Sequence, residues 1–286
     1  MPIDYDKIKN WVFPEVEQTY TEKDCMLYAL GVGYGHDPMD AAQLPFVYEK
    51  NLRVAPTMPV VMGHPGFWMM NPETGIDWVK IVHGEQALRI HRSPPTSGTI
   101  VGRTRVKAIV DKGAGKGALV YQERSILEKR SGALLATLDH VTFCRADGGG
   151  GKSDPAPPPP PAVPGSAPDA SCDLPTLPQA ALIYRLCADP NPLHADPAVA
   201  RAAGFPRPIL HGLCTYGVAG HAVLKTFCDY DPSRLSALSL RFSAPVFPGE
   251  TIRTEMWREG NTVLFRSRVL ERDVVVLNNG SATISN

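Results

Sequence analysis

Pro208-Ile209-Leu210-His211-Gly212-Leu213-Cys214-Thr215-Tyr216-Gly217-Val218-Ala219-Gly220-His221-Ala222-Val223-Leu224-Lys225-Thr226-Phe227 is an apolar stretch that opens on proline and contains none afterwards. It predicts one long helix, with Pro208 in the first turn, where a missing N–H costs nothing. Small residues recur inside it at Gly212, Gly217, Ala219 and Gly220. Each interior glycine costs about 1 kcal/mol relative to alanine, so something must come close to this backbone, either a sheet or a ligand. Amphipathic strands are expected next, over 238–242, 251–257, 263–270 and 274–284, with turns at Glu259-Gly260-Asn261 and Glu271-Arg272-Asp273.

The same order occurs once before. Residues 24–32 have helical spacing, and 57–70 are apolar but broken by Pro59 and Pro65. Strand patterns follow over 87–91, 99–110, 118–127 and 134–143, punctuated by Gly113-Ala114-Gly115-Lys116-Gly117 and Arg130-Ser131-Gly132. A helix followed by several antiparallel strands, twice over, predicts an α+β protein with a helix packed on each sheet. Between the halves lie Gly148-Gly149-Gly150-Gly151 and a proline-rich run. Gly-rich chain is flexible and Pro-rich chain is a semi-rigid spacer. The expected division is an N-terminal unit over 1–145, a linker over 146–171 and a C-terminal unit over 172–286.

Composition narrows the function classes. The chain has 286 residues and balances 29 Lys+Arg against 29 Asp+Glu, which argues against bulk attraction to nucleic acid or an anionic membrane. No apolar run approaches the roughly 20 residues needed to span a bilayer. Met1-Pro2-Ile3-Asp4-Tyr5-Asp6 lacks a secretory pattern, and Thr283-Ile284-Ser285-Asn286 is not a peroxisomal address. Six cysteines form no CxxC pair and eight histidines show no HxxxH spacing. A reduced, cytoplasmic, metal-free protein is therefore expected.

The densest chemistry is in Tyr184-Arg185-Leu186-Cys187-Ala188-Asp189-Pro190-Asn191-Pro192-Leu193-His194-Ala195-Asp196-Pro197. Alternating prolines exclude a helix and push Asp189 and Asn191 into extended backbone. A carboxylate and an imidazole on one stiff loop can share a water, one taking its proton while the other orients it. Asx turns plus a capping Asp196 account equally for this composition. Downstream, Gly212 would begin a helix whose unpaired N–H groups suit an oxyanion, or would only let the helix approach a sheet. The Gly31-Val32-Gly33-Tyr34-Gly35 pattern lacks the strand–turn–helix context of a nucleotide loop.

The run over 180–214 resembles the hydratase-2 motif of MaoC-like (R)-specific enoyl-CoA hydratases, including the hydratase region of peroxisomal multifunctional enzyme type 2. The similarity extends to Tyr28-Ala29-Leu30-Gly31-Val32-Gly33, Val47-Tyr48-Glu49, His83-Gly84-Glu85-Gln86 and Asp111-Lys112-Gly113 in the first half. In the second half it covers Arg241-Phe242, Pro245-Val246-Phe247-Pro248-Gly249 and Thr254-Glu255-Met256-Trp257. The resemblance implies a double hot-dog fold, two long helices each wrapped by an antiparallel sheet, with the sheets joined into one. It implies reversible hydration of trans-2-enoyl-CoA to (R)-3-hydroxyacyl-CoA in fatty-acyl metabolism, with no cofactor beyond the CoA of the substrate, and a homodimer. Carried over by position, Asp189 and His194 become the catalytic pair, Asn191 supports the water and Gly212 supplies the oxyanion donor. His83, Gly84, Lys112, Phe242 and Glu49 would contact substrate, Lys112 near a CoA phosphate. The chain departs from the family at Cys187-Ala188, where Ser-Gly is usual, and at Pro190, where a bulky residue is common. An acyl-CoA thioesterase and a non-catalytic acyl-CoA-binding protein on the same fold are the alternatives.

Overall fold

Strands form where side chains alternate between core and solvent, and in this protein they run into one continuous surface. The computed structural model describes residues 2–187 and 189–285. The first half contains α1 (Tyr5–Lys9), β1 (Val16–Tyr20), α2 (Glu22–Gly31), α3 (Leu44–Val47), β2 (Ile81–Ile90), β3 (Gly98–Asp111), β4 (Ala118–Glu128) and β5 (Leu134–Cys144). The second contains β6 (Ala170–Pro175), α4 (Ala180–Tyr184), α5 (Pro197–Ala202), α6 (Gly212–Phe227), β7 (Leu235–Phe242), β8 (Thr251–Glu259), β9 (Thr262–Val269) and β10 (Val274–Ile284). All ten strands join one sheet in the order β1-β3-β4-β5-β2-β7-β10-β9-β8-β6. Every pairing is antiparallel.

That order is a repeat. Reading inward from either edge gives the same connectivity, β1-β3-β4-β5-β2 in one half and β6-β8-β9-β10-β7 in the other. The halves meet at β2 and β7, where Glu85 pairs with Arg241 and Leu88 with Leu238, and the Arg241 Nε donates to Glu85 at 3.0 Å. This is the expected double hot-dog sheet.

The helices are less equal than the sequence suggests. α6 has 16 residues and is buried continuously from Cys214 to Leu224, packed against β6, β7, β8 and β10. Its first-half counterpart, α2, has only 10 residues. The segment 57–70, which a long helix would need, forms only two 3₁₀ turns, Met58–Val61 and Trp68–Met70. Pro59 and Pro65 remove donors there, while Gly63 and Gly66 take φ values of 56° and 77° that end helical geometry. α6 also begins later than expected. His211 is its N-cap and Gly212 its first residue, so Pro208 stands outside in extended chain. The glycines serve packing. A Cβ at Gly217 would lie 2.4 Å from Val32 Cγ1, and one at Gly220 would lie 2.4 Å from Thr57 Cγ2. The first half is thus pressed directly onto the backbone of α6.

The glycine-rich segment is anchored to the first half. The Asp111 carboxylate accepts from the N–H groups of Gly113, Gly149 and Gly151. A Cβ at Gly148 would lie 2.4 Å from the Gly117 carbonyl, so glycine is there for close approach. Asp154 pairs with Lys9 at 2.8 Å and accepts from the Ile109 N–H. Beyond the prolines, Trp257 Nε1 donates to the carbonyls of Ser166 and Ala167. β6 starts at Ala170, inside the segment expected to be linker.

Buried apolar residues form two clusters. The larger draws on both halves, including Tyr28, Val32, Leu138, Tyr216, Leu238 and Phe265. The smaller belongs to the first half and contains Ile8, Ile109, Ala118, Val120 and Cys144. Among the described residues, no helix is long and apolar enough to cross a membrane.

Candidate active site

α4 ends at Tyr184, and the proline-punctuated loop that follows is held by its own side chains. Asp189 Oδ1 accepts from the Asn191 N–H at 2.9 Å, and Asn191 Oδ1 accepts from the Leu193 N–H at 3.0 Å. Asp196 caps α5 through the Ala198 N–H. The turn chemistry expected from composition is therefore present. It coexists with the chemical reading, because these turns carry His194 inward on the 3₁₀ turn Pro192–His194. Arg185 steadies the outer side by donating to the Pro190 carbonyl. Ala188 lies outside the described residues.

His194 is buried, and its Nδ1 lies 2.8 Å from the Ile209 carbonyl. A carbonyl only accepts, so Nδ1 carries the proton and Nε2 keeps its lone pair. The adjacent ring is His211, which the sequence analysis quoted but did not assign. It stacks on His194 with centroids 3.7 Å apart. Its Nε2 donates to the Asp189 carbonyl at 3.1 Å, tying the N-cap of α6 to the loop. Its Nδ1 is buried with no partner among the described residues. The signal for it in the sequence was its place immediately before Gly212, where a ring must face whatever the helix start faces.

Burial lowers the His194 pKa below the usual imidazole value, opposed by the Ile209 carbonyl and by Asp189. Burial and then the neighbouring His194 hold His211 at about 3. Both rings are neutral near pH 7. One ligand atom from each of Asp189, His194 and His211 falls within 4.8 Å of the others. Such a set can grip a water, and its two neutral nitrogens and carboxylate could equally receive a divalent ion. Sequence spacing does not reveal that trio, because two of its members are 17 residues apart and meet only through the fold.

Gly212 opens α6 beside this cluster. Its N–H and that of Leu213 have no acceptor among the described residues, while those of Cys214 and Thr215 bond back to the His211 carbonyl. A Cβ at Gly212 would sit 3.3 Å from Phe242 Cε1, so glycine here permits sheet contact as well as an open donor. Phe242 leads to the first half, with its ring 4.5 Å from His83. Gly84 sits in a β-bulge, where the β2–β5 register shifts between His83 and Glu85. His83, Gly84 and Phe242 are thus brought to the edge of the cluster. Lys112 and Glu49 make no hydrogen bond or ring contact with these residues. Lys112 is exposed at the start of the β3–β4 turn, its Nζ 5.3 Å from the Phe143 ring. Glu49 is exposed on the turn after α3 and makes no hydrogen bond or ion pair with the other candidate residues.

Two family patterns together span most of the chain, the MFE-2 hydratase 2 N-terminal domain over residues 18–146 and the MaoC like domain over 161–279. The peroxisomal enoyl-CoA hydratase 2 of Arabidopsis thaliana is 38% identical, over 92% of this chain and 90% of its own length. An enoyl-CoA hydratase of Mycobacterium tuberculosis is 38% identical over 98% of both chains. Among solved structures, a MaoC-like dehydratase from Phytophthora capsici superposes with a TM-score of 0.86 at 35% identity, covering 99% of this chain and 98% of that one. With this loop, helix start and repeated sheet, the chain belongs to the MaoC-like, hydratase 2 family of enoyl-CoA hydratases.

Proposed function

We propose that this protein hydrates trans-2-enoyl-CoA thioesters to (R)-3-hydroxyacyl-CoA and catalyses the reverse dehydration. The observation that carries the reading is the His194 ring, with its Nδ1 proton committed to Ile209 and its Nε2 left as a base beside Asp189. A water held between Nε2 and the carboxylate gives up a proton to His194 as its oxygen bonds to C3. Electrons move to the thioester oxygen, where the Gly212 N–H meets the enolate charge. The proton then passes to C2 from the same face, making the addition syn. Asn191 acts by shaping the loop, and its Nδ2 is left to donate toward the water. Water and alkene combine with no net oxidation or reduction, so the reaction asks for no redox cofactor, and the Asp189–His194 pair is assigned the activation of water without a metal.

His83, Gly84 and Phe242 line the path from the first half, and we assign Lys112 to the CoA end and Glu49 to a peripheral substrate contact. The cytoplasm is the compartment we assign, supported by six free cysteines, five of them buried. A homodimer is the proposed assembly. A purified sample should abolish the ultraviolet absorbance of a conjugated enoyl-CoA without releasing thiol. Release of free CoA would instead establish a thioesterase, and binding with unchanged absorbance a non-catalytic protein. Addition of a chelator should leave the rate unchanged.

A further inference from the structure

The inner face of the first-half sheet should be apolar where it faces the core, yet a polar band crosses it. β4 contributes Gln122 and Arg124, β5 contributes His140 and Thr142, and β2 contributes His83 and Gln86. Register places them side by side: Gln122 is opposite His140, His140 opposite Gln86, and Thr142 opposite His83. Strand alternation puts Arg124 on the same face as Ile126 and Val120, both fully buried. This band is what separates the two apolar clusters. The segment broken by Pro59 and Pro65 covers it, with Trp68 Nε1 donating to Gln122 at 2.6 Å and His64 close by.

Arg124 is the charge in this band. Its Nη2 donates to the Val60 carbonyl at 2.7 Å, and its Nε is buried with no partner among the described residues. It makes no ion pair with any described residue. The adjacent Glu123 points to the opposite face, where it pairs with Arg105 and Lys107. The other titratable groups in the band are His64, His83 and His140, with rings of His83 and His140 stacked 3.8 Å apart. Burial is the first cause lowering the pKa of all three, followed by Arg124 at His64 and by the neighbouring His83 at His140. Burial brings Arg124 only to about 10, so it remains cationic. A buried cation without a counter-ion is costly, and proteins pair or neutralise such groups. Yet Arg124, His83, His140 and Gln122 each retain partial solvent exposure. Side-chain contacts link the band to the helix start, with the His83 ring 4.5 Å from Phe242 and Phe242 packed against Gly212.

We propose that the acyl tail runs from Gly212 past Phe242 and His83 along this polar band and that Arg124, flanked by His83 and His140, binds a carboxylate at the far end of the tail, making the preferred substrates ω-carboxyacyl thioesters. This rests on the hydratase reading of the Asp189–His194 site. A carboxylate completes the empty donor at Arg124 Nε, and the neutral histidines and Gln122 supply further hydrogen bonds at the polar end of an otherwise apolar path.

The test compares 2-enoyl-CoA substrates of matched length ending in methyl or carboxylate, over short and medium chains. The wild type should favour the carboxylate in kcat/KM by about tenfold or more at the matching length, as for one buried charge-assisted contact. Arg124→Leu should erase that ratio, and Arg124→Lys should restore part of it. Equal turnover of both series by the wild type would overturn the proposal. So would an equal loss on both series in Arg124→Leu, which would put the arginine on the CoA phosphates. Calorimetric binding of saturated acyl- and ω-carboxyacyl-CoA decides the acid site separately. If neither enoyl thioester is hydrated but the carboxylate ester binds about tenfold tighter, the hydratase reading falls and the acid site stands; equal binding overturns it.

Discussion

At the scale of single residues, the site depends on where protons are held. The Ile209 carbonyl fixes the His194 tautomer, and the stacked His211 gives its own proton to the Asp189 carbonyl. Burial disfavours the charged form of both rings. A base whose pKa lies below the ordinary histidine value stays unprotonated as pH falls through about 6.5. The acid limb of kcat/KM for the enoyl thioester should therefore have its midpoint below that pH. A limb at or above it would show that the His194 environment is not the one described. Asp189, Asn191 and His194 were legible from their proline-spaced loop, whereas His211 was not. Its role depends on a stack between residues 17 apart, and no local pattern encodes that contact. Nor could sequence alone find Arg124, whose significance lies in making no ion pair among the described residues while Glu123 and Asp139 on β4 and β5 pair on the opposite face.

At the scale of elements, α6 shows what a glycine pattern can and cannot say. The small residues correctly announced a close approach, and the structure identifies the neighbours as Val32 and Thr57. Gly220→Val should destabilise the protein by about 1–3 kcal/mol, despite valine's better helix propensity, because the added atoms overpack a buried contact. A melting temperature unchanged or raised would mean that the helix and the first half are less tightly pressed. Two short edge strands escaped sequence reading. In β1, Glu17, Gln18 and Thr19 dilute the apolar signal, and β6 adjoins the proline-rich run that masks its start. The start of α6 was placed four residues early because Pro208 suits a first turn. The structure instead uses 208–211 as the extended arm that carries His211 to the loop and its carbonyls to His194 and the helix start.

Across the whole molecule, the two halves share one sheet and one major core. The sequence repeat foretold two similar units, but only the fold reveals that the second unit's helix is packed by the first. Thermal unfolding followed by tryptophan fluorescence and by far-ultraviolet circular dichroism should therefore give coincident transitions; separated midpoints would show independent halves. Acid should weaken the fold. Burial holds His221 at about 4 and His211 at about 3 in the folded state. Below about pH 6.5 the unfolded chain takes up protons that the folded one refuses. Each such histidine then removes about 1.4 kcal/mol per pH unit until its folded pKa is reached. Melting temperatures at pH 7 and pH 5 check this, and equal values would contradict it. The account as a whole stands on Asp189 and His194 delivering water to one face of the alkene. Chiral analysis of the 3-hydroxyacyl-CoA made from a trans-2-enoyl-CoA by the wild type, Asp189→Asn and His194→Gln tests this directly. The account predicts (R) product from the wild type and a loss of about 10²-fold or more in each folded variant; (S) or racemic product, or variants turning over near the wild-type rate, would contradict it.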